Sequence, residues 1–365
     1  MNFSAMKHFR FSIIFTLICL AIAGWWGLTH GPQAGIEAMF KALAITGVLA
    51  VMEVSLSFDN AVVNASVLRN WNAFWVRLFL TVGILVAVFG MRLIFPLLIV
   101  GVTADMSMID VAKLALNDPK TYSEKLLAHH AEIAAFGGMF LILVFLNFFF
   151  DDSKDEHWFH WVEERLSGLG QVDAISIFVA LGALLSALTL IPSADKLAVL
   201  EAGVWGIVVY LGVNVLGHLL EGSDDETTAD GEDTPVTSPS GSKIVKAGIG
   251  GFLYLEVLDA SFSFDGVIGA FAITSDVVII MLGLAVGAMF VRSMTVYLVE
   301  KGTLDAYQYL EHGAHYAIGA LAFIMVLAMV HIEVPEVVTG LIGVAFIAWS
   351  VWASVQARRI EQAHS

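Results

Sequence analysis

The stretch "DASFSFDG", residues 259–266, nearly repeats the stretch "EVSLSFDN", residues 53–60. When the last aspartate of each stretch is aligned, Glu53 falls on Asp259, and both serines and the phenylalanine match. Each stretch lies inside a long apolar run, where two acidic residues are costly and therefore informative. The match predicts an internal repeat.

The similarity continues beyond the two stretches. Residues 83–92, "GILVAVFGMR", align with residues 283–292, "GLAVGAMFVR". Further along, "HHAEIAAFGGMF" from His129 aligns with "HGAHYAIGALAF" from His312. The repeat unit therefore includes at least three apolar segments.

The amino-acid composition indicates a membrane protein. Of 365 residues, 58% are hydrophobic and 14% charged, and the apolar blocks have the length of about 20 residues that crosses a bilayer as a helix. Weakly alternating strands, which indicate a membrane barrel, are absent from the sequence. We therefore predict an all-α polytopic membrane protein of about 9–10 transmembrane helices with two inverted-topology repeats.

Cysteine content and charge limit the chemistry. The one cysteine, Cys19, allows neither a disulfide framework nor a cysteine-based metal site. The net charge of −16 argues against a nucleic-acid partner. Any metal ion would have to be bound by oxygen or imidazole ligands.

The apolar blocks and their polar flanks predict ten spans. The predicted spans are residues 11–28, 38–67, 74–100, 129–150, 172–191, 197–220, 245–273, 277–299, 313–331 and 336–356. Residues 1–30 form either a retained first helix or a cleaved signal segment, since Ala21 and Ala23 resemble a small-residue cleavage site. The second alternative would leave nine spans.

These spans define the predicted organisation of the chain. An acidic stretch without basic residues before Lys243 predicts a disordered cytoplasmic linker, and a stretch rich in tryptophan and charge predicts an interfacial loop. The predicted parts are the N-terminal segment 1–30, the first repeat 36–150, the cytoplasmic interfacial loop 151–171, two connecting helices in 172–220, the acidic linker 221–243, the second repeat 244–331 and a last helix 336–356.

The two repeats are expected to have opposite orientations. An odd number of spans separates the first motif from the second, so the second copy enters the membrane from the other side. With the amino terminus in the cytoplasm, lysines and arginines concentrate in cytoplasmic loops, as the positive-inside rule requires. The carboxyl terminus is then cytoplasmic, in a bacterial inner membrane.

The acids near the middle of the motif spans form the candidate site. An aspartate there costs roughly 2.5 to 3.5 kcal/mol on insertion scales, so it normally faces protein, water or an ion. Small residues around each motif favour local unwinding, and two inverted copies can present four carboxylates to one point. All-oxygen ligands suit a hard divalent cation such as Mg²⁺, Ca²⁺ or Mn²⁺. The candidate metal ligands are Glu53, Asp59, Asn60, Asp259 and Asp265, with Ser57, Asn64, Glu256 and Ser263 as auxiliary residues.

A structural role for the same acids is the alternative. Arg92 and Arg292 lie inside aligned spans and are possible charge partners, so buried ion pairs can account for part of the acidic set. Four acids against two arginines leave a surplus. For the histidines that begin two matched spans, helix capping or a proton relay is an alternative to metal ligation; these are His129, His130, His312 and His315.

The doubled motif resembles that of the TerC-like integral membrane proteins, in the branch known as a domain of unknown function within the LysE-type transporter grouping. The resemblance covers about residues 36–356 and rests on "EVSLSFDNAVV" and "DASFSFDGVIGAF". It implies metal-ion traffic, chiefly Mn²⁺ export, with tellurite resistance as the historical label. It also implies metal binding by the four motif acids and Asn60. Gly266 stands where the first copy has Asn60, which puts the equivalence of the two half-sites in doubt.

Three functional hypotheses follow. The first is a secondary transporter that exports a divalent cation, with Mn²⁺ favoured, as part of metal resistance. The sequence has no ATP-binding motif, so H⁺ or Na⁺ would be the coupling ion. The second is a non-transporting membrane scaffold or stress-complex subunit with structural acids. An intramembrane hydrolase is the third, but the familiar catalytic arrangements are absent from the sequence, so we do not expect an enzyme. Membrane lipids are the other expected partners, no organic cofactor is expected, and the oligomeric state stays open.

Overall fold

We describe the fold from a computed structural model. It describes residues 3–30, 34–69, 71–83, 85–151, 157–159, 161, 163, 174–221, 248–301 and 307–364. The predicted acidic linker beyond Glu221 and most of the predicted interfacial loop lie outside these residues. The side chain of Asp265 also lies outside the described part, although its backbone is described.

The described residues form an all-helical fold, as the sequence predicts. Its helices are α1 (Phe3–Thr29), α2 (Ile36–Leu56), α3 (Phe58–Leu68), α4 (Ala73–Thr103), α5 (Met108–Asn117), α6 (Pro119–Leu127), α7 (His130–Phe150), α8 (Ile175–Leu188), α9 (Lys196–Glu221), α10 (Ile249–Ile273), α11 (Val277–Lys301), α12 (Leu310–Met329) and α13 (Glu336–His364).

Within the described residues, eight helices are long and apolar enough to cross a membrane. They are α1, α2, α4, α7, α9, α11, α12 and α13, trimmed at some ends. Helix α10, with 25 residues, is also long enough to cross a membrane, but it contains three acidic residues and is therefore less apolar. Helix α8 has 14 residues, or about 21 Å at 1.5 Å per residue, which is shorter than the bilayer core. In the described part of the chain, every predicted span therefore corresponds to helix.

Two predicted spans differ from continuous α-helices. The predicted span 38–67 is interrupted at Ser57, which separates α2 from α3. Helix α4 contains the π-helical segments Phe79–Gly83 and Val86–Ile94. π-Helical turns are rare and occur often at functional sites. Both irregular regions lie close to the first copy of the repeated motif.

Two short helices, α5 and α6, follow α4 outside the membrane-spanning helices. Ser107 caps α5 by accepting a hydrogen bond from the backbone amide of Asp110. Asp118 caps α6 in the same way through Thr121, whose hydroxyl also donates to the Asp118 carboxylate. These hydrogen bonds stabilise the charged form and hold the pKa of Asp118 below its ordinary value.

The centre of the bundle is built on close helix contacts at glycines. Helices α7 and α12 run antiparallel, with Gly138 against Met325 and Phe148 against His312. Helices α2 and α11 run parallel, because Leu49 lies against Gly283 and Glu53 against Gly287. Small residues at such contacts let helix backbones approach one another inside a membrane.

Candidate functional site

The first copy of the motif is built on a helix break. Ser57 has φ −104° and ψ 16°, outside helical geometry, and its backbone amide still donates to the carbonyl of Glu53 at 2.9 Å. The amide of Asn60 donates to the Asp59 carboxylate at 3.0 Å. A helix end leaves carbonyls of its last turn without helical partners. The predicted unwinding is thus confirmed in this copy.

The second copy has no such break. All of residues 259–266 are helical and lie in the middle of α10. The hydroxyl of Ser261 donates to the carbonyl of Val257 at 2.9 Å, which is common for a serine within a continuous helix. The predicted unwinding is therefore wrong for this copy.

The two copies cross in antiparallel directions. Near one end of the crossing, the side-chain amide of Asn64 donates to Asp259 at 2.8 Å. Near the other end, Glu53 lies against Gly266, where an added Cβ would be 2.9 Å from Glu53 Oε2. Gly266 thus provides the space that the Glu53 carboxylate occupies.

Glu53 is held in a buried ion pair with Arg92. The guanidinium donates to Oε1 of Glu53, and the arginine and glutamate side chains are only 5% and 1% exposed. The hydroxyl of Ser57 donates to the same oxygen at 2.9 Å. The expected partnership of Arg92 with a motif acid is confirmed, and Ser57 supports it.

The aligned arginine of the second repeat behaves differently. The Nε of Arg292 donates to the backbone carbonyl of Leu80 at 2.8 Å. Its guanidinium also lies over the ring of Phe11 at 5.9 Å. Among the described side chains no acid lies within ion-pair distance of Arg292, so its predicted pairing with an acid stays a prediction.

A polar cavity lies where the two copies meet. Its volume is about 40 Å³, room for a few water molecules. The cavity wall contains the buried carboxylate of Asp259, which is 8% exposed. The side-chain oxygens of Asn60 and Asn64 are buried and accept no hydrogen bond. The polar residues that line the cavity are Ser57, Asn60, Asn64, Arg92, Asp259, Ser263, Arg292 and Thr295.

Glu256 is a further buried acid beside this cavity. It lies one turn before Asp259 on α10 and is 8% exposed. Both of its carboxylate oxygens are buried without a hydrogen-bond partner. Its Oε1 lies against Gly83 of α4, where a larger residue would collide with it. Glu256 therefore belongs to the polar region but lies outside the cavity wall.

Asp59 faces a different cavity. This second cavity has a volume of about 10 Å³ and lies between Asp59, Leu56 and two residues of α13, Thr339 and Gly343. Asp59 is 4% exposed, and an added Cβ at Gly343 would be 3.9 Å from its Oδ2. The structure therefore separates Asp59 from the cavity that contains Asp259.

Of the five candidate metal ligands, the structure places Asn60 and Asp259 at the first cavity, together with the auxiliary residues Ser57, Asn64 and Ser263. Among the described side chains, no group of three His, Cys, Asp or Glu residues is placed to hold a metal ion. Since the Asp265 side chain lies outside the described part, the four-carboxylate cluster stays a prediction. The oxygen-bearing side chains that line the first cavity are those of Asp259, two asparagines, two serines and Thr295.

The histidines lie away from both cavities. His129 lies 3.2 Å from Glu132 in the first turn of α7, and His312 lies 3.7 Å from Glu163. The ring of His315 stacks on Phe148 with centroids 3.8 Å apart. His130 begins α7. None of the four lines either cavity, so metal ligation at these cavities gains no support.

Thr339 is a polar residue that is not among the candidate site residues predicted from the sequence. It lies on the apolar helix α13, is 7% exposed, and its hydroxyl has no hydrogen-bond partner. The only signal in the sequence is "TGLIG", residues 339–343, where a hydroxyl and two glycines interrupt an apolar run. That pattern also occurs at ordinary helix contacts.

Comparisons with known proteins identify a family without a described activity. No curated protein and no solved structure matches the chain. The family model described as "Protein of unknown function (DUF475)" matches residues 58–361. Because this match covers most of the sequence, the chain belongs to the DUF475 family.

Proposed function

We propose that this protein is a secondary transporter that exports a divalent cation, with Mn²⁺ favoured, from the cytoplasm. The observation that carries the proposal is the antiparallel crossing of two motif copies at a buried polar cavity. Asn64 of the first copy bonds Asp259 of the second across this crossing. Inside a membrane, ionisable residues such as Asp259 are rare, and ion or substrate pathways are among the features that they mark.

The ligands of the proposed site are all oxygens. Asp259 supplies the carboxylate, and Asn60 and Asn64 supply side-chain oxygens that accept no hydrogen bond in this structure. Ser57, Ser263 and Thr295 add hydroxyl groups to the wall, which also contains Arg92 and Arg292. Oxygen sets of this kind suit hard divalent cations, and the lack of thiolate argues against softer metals.

The helix directions support two inverted halves. Helix α4 runs parallel to α10, since Gly83 lies against Glu256 and Trp71, just before α4, lies against Gly251. Helix α2 runs parallel to α11, with Glu53 against Gly287. In each of these two pairs, one helix comes from each half. We therefore retain the inverted repeat, the TerC-like relationship, a bacterial inner membrane and a cytoplasmic carboxyl terminus as parts of the proposal.

A non-transporting scaffold is the second candidate. It is favoured by the Glu53–Arg92 pair, because a buried ion pair can exist only to maintain the fold. It leaves unexplained why Glu256 and two asparagine oxygens are buried without partners around the same region. In the transporter proposal, the asparagine oxygens bind the metal ion and Glu256 takes part in coupling.

Metal flux into proteoliposomes separates the two candidates. Purified protein is reconstituted around a dye that Mn²⁺ quenches, and external Mn²⁺ is added. We expect wild type to carry Mn²⁺ and Asp259→Asn to carry none, although the substitution keeps the shape of the side chain. Asp276→Asn is the matched control, because Asp276 caps α11 away from the cavity. Folded wild type without flux of Mn²⁺ or Ca²⁺ would rule out the transporter.

A further inference from the structure

We propose that Asp59 and Thr339 form a second, separate site that binds Na⁺ as the coupling ion. This inference rests on the proposed transport function and assigns its energy source. The two residues line one cavity of about 10 Å³, on α3 and α13 respectively. That volume corresponds to about one water-sized particle, so a dehydrated Na⁺, which is smaller than water, fits within it.

The groups around this cavity are ones that bind a small cation. Asp59 is 4% exposed, so its charge has almost no contact with solvent. The hydroxyl of Thr339 is 7% exposed and has no hydrogen-bond partner, although it lines the cavity. A buried hydroxyl without a partner is costly, so an ion or water is expected to bind it.

The helix break provides further ligands. Helix α2 ends at Leu56, which also lines the cavity. Carbonyls of a final helical turn lack partners within their helix, and interrupted membrane helices use such carbonyls to coordinate Na⁺. Gly340 of α13 lies beside Ser55, where an added Cβ would be 3.7 Å from its carbonyl carbon. Small residues on α13 thus leave space at the end of α2.

Charge and space favour Na⁺ over the alternatives. Asp59 is the one charged residue among the described residues that line this cavity, so a monovalent cation is enough to neutralise it. A proton would neutralise Asp59 without filling the cavity or binding the Thr339 hydroxyl. Na⁺ neutralises the acid, fills the volume and binds the hydroxyl.

The test measures Na⁺ binding and Na⁺ coupling separately. The full-length purified protein is melted in sodium chloride and in choline chloride of equal concentration. We expect a higher melting temperature in Na⁺ for wild type, and loss of this difference in Thr339→Val and Asp59→Asn. Thr339→Ser keeps the hydroxyl and is expected to keep the difference. Thr46→Val is the matched control, because the Thr46 hydroxyl is buried but donates to Ala42.

In proteoliposomes, an inward Na⁺ gradient is expected to drive Mn²⁺ transport by wild type. Thr339→Val should raise the Na⁺ concentration for half-maximal transport by about tenfold or more.

Mn²⁺ transport driven by a pH gradient without Na⁺ would overturn the inference while the proposed transport function stands. Na⁺-specific stabilisation without any metal flux would support the Na⁺ site and refute the metal transporter. Equal Na⁺ stabilisation in wild type and both loss variants would overturn the assigned site.

Discussion

The two motif copies share a sequence pattern but have different backbones. Residues 53–60 contain a helix break at Ser57, whereas residues 259–266 are continuous helix. Ser55 and Ser261, which align, behave alike, because each hydroxyl donates to the carbonyl four residues earlier at 2.9 Å. The copies diverge at the next serine, where Ser57 donates to the Glu53 carboxylate instead.

The difference in backbone gives the acids of the two copies different surroundings. The broken copy holds Glu53 in an ion pair and turns Asp59 towards α13. The continuous copy supplies Asp259 to the central cavity. A repeated sequence thus produces one continuous and one interrupted helix at a crossing, and this asymmetry is the basis of the two ion sites that we propose in place of one symmetric cage.

The largest expected effect comes from breaking the ion pair of the first copy. Arg92→Met leaves the Glu53 carboxylate buried without its guanidinium, which costs about 3–5 kcal/mol. Arg292→Met should cost much less, because Arg292 bonds a backbone carbonyl. Melting temperatures in detergent would compare the two variants. The double variant with Glu53→Met should recover part of the loss; equal effects of the two arginine variants would contradict the assigned pair.

A smaller effect is expected from filling the helix contact behind Glu53. An added methyl at Gly287 would collide with the Glu53 side chain, and overpacking of this kind costs about 1–3 kcal/mol. Gly182→Ala is the control, because nothing lies within 4 Å of the added methyl there. The thermal stability of Gly287→Ala should therefore fall, while that of Gly182→Ala should stay or rise.

The glycine that distinguishes the copies gives a weaker effect. Gly266→Ala would place a methyl 2.9 Å from Glu53 Oε2, the end of a side chain that can shift, so we expect a loss of about 1 kcal/mol. The same variant should reduce Mn²⁺ flux, because Glu53 pairs with Arg92, which belongs to the wall of the first cavity. An unchanged melting temperature and flux would show that the close approach of the copies has no role.

The smallest effect is expected from the motif serines. Ser263 lines the central cavity, whereas Ser261 bonds its own helix. Removing one polar ligand group costs about 0.5–1.5 kcal/mol, so Ser263→Ala should raise the apparent Km for Mn²⁺ by up to about tenfold. Ser261→Ala should leave it unchanged. The comparison is made by flux titration, and the opposite order would contradict the orientation of α10.

Much of the fold was predictable, because apolar length determines which segments span a membrane. Each predicted span corresponds to helix, and the possible pairing of Arg92 with a motif acid, given as part of the structural alternative, is present in the structure. The side of a helix that an acid faces was harder to predict, because successive side chains are rotated by about 100° around the helix axis. Asp59 and Asn60 are neighbours in sequence but line different cavities. Thr339 could not be selected from the sequence, because the cavity that it lines is shared with Asp59, a residue distant in sequence.

Mn²⁺ binding to the purified protein tests the central claim most directly. In an electron paramagnetic resonance titration, the signal of free Mn²⁺ falls when the ion binds. We predict stoichiometric binding to wild type and to Asp276→Asn, and loss of binding in Asp259→Asn. Binding that is unchanged in Asp259→Asn, or absent from folded wild type, would contradict a divalent-cation site at the crossing of the two motif copies.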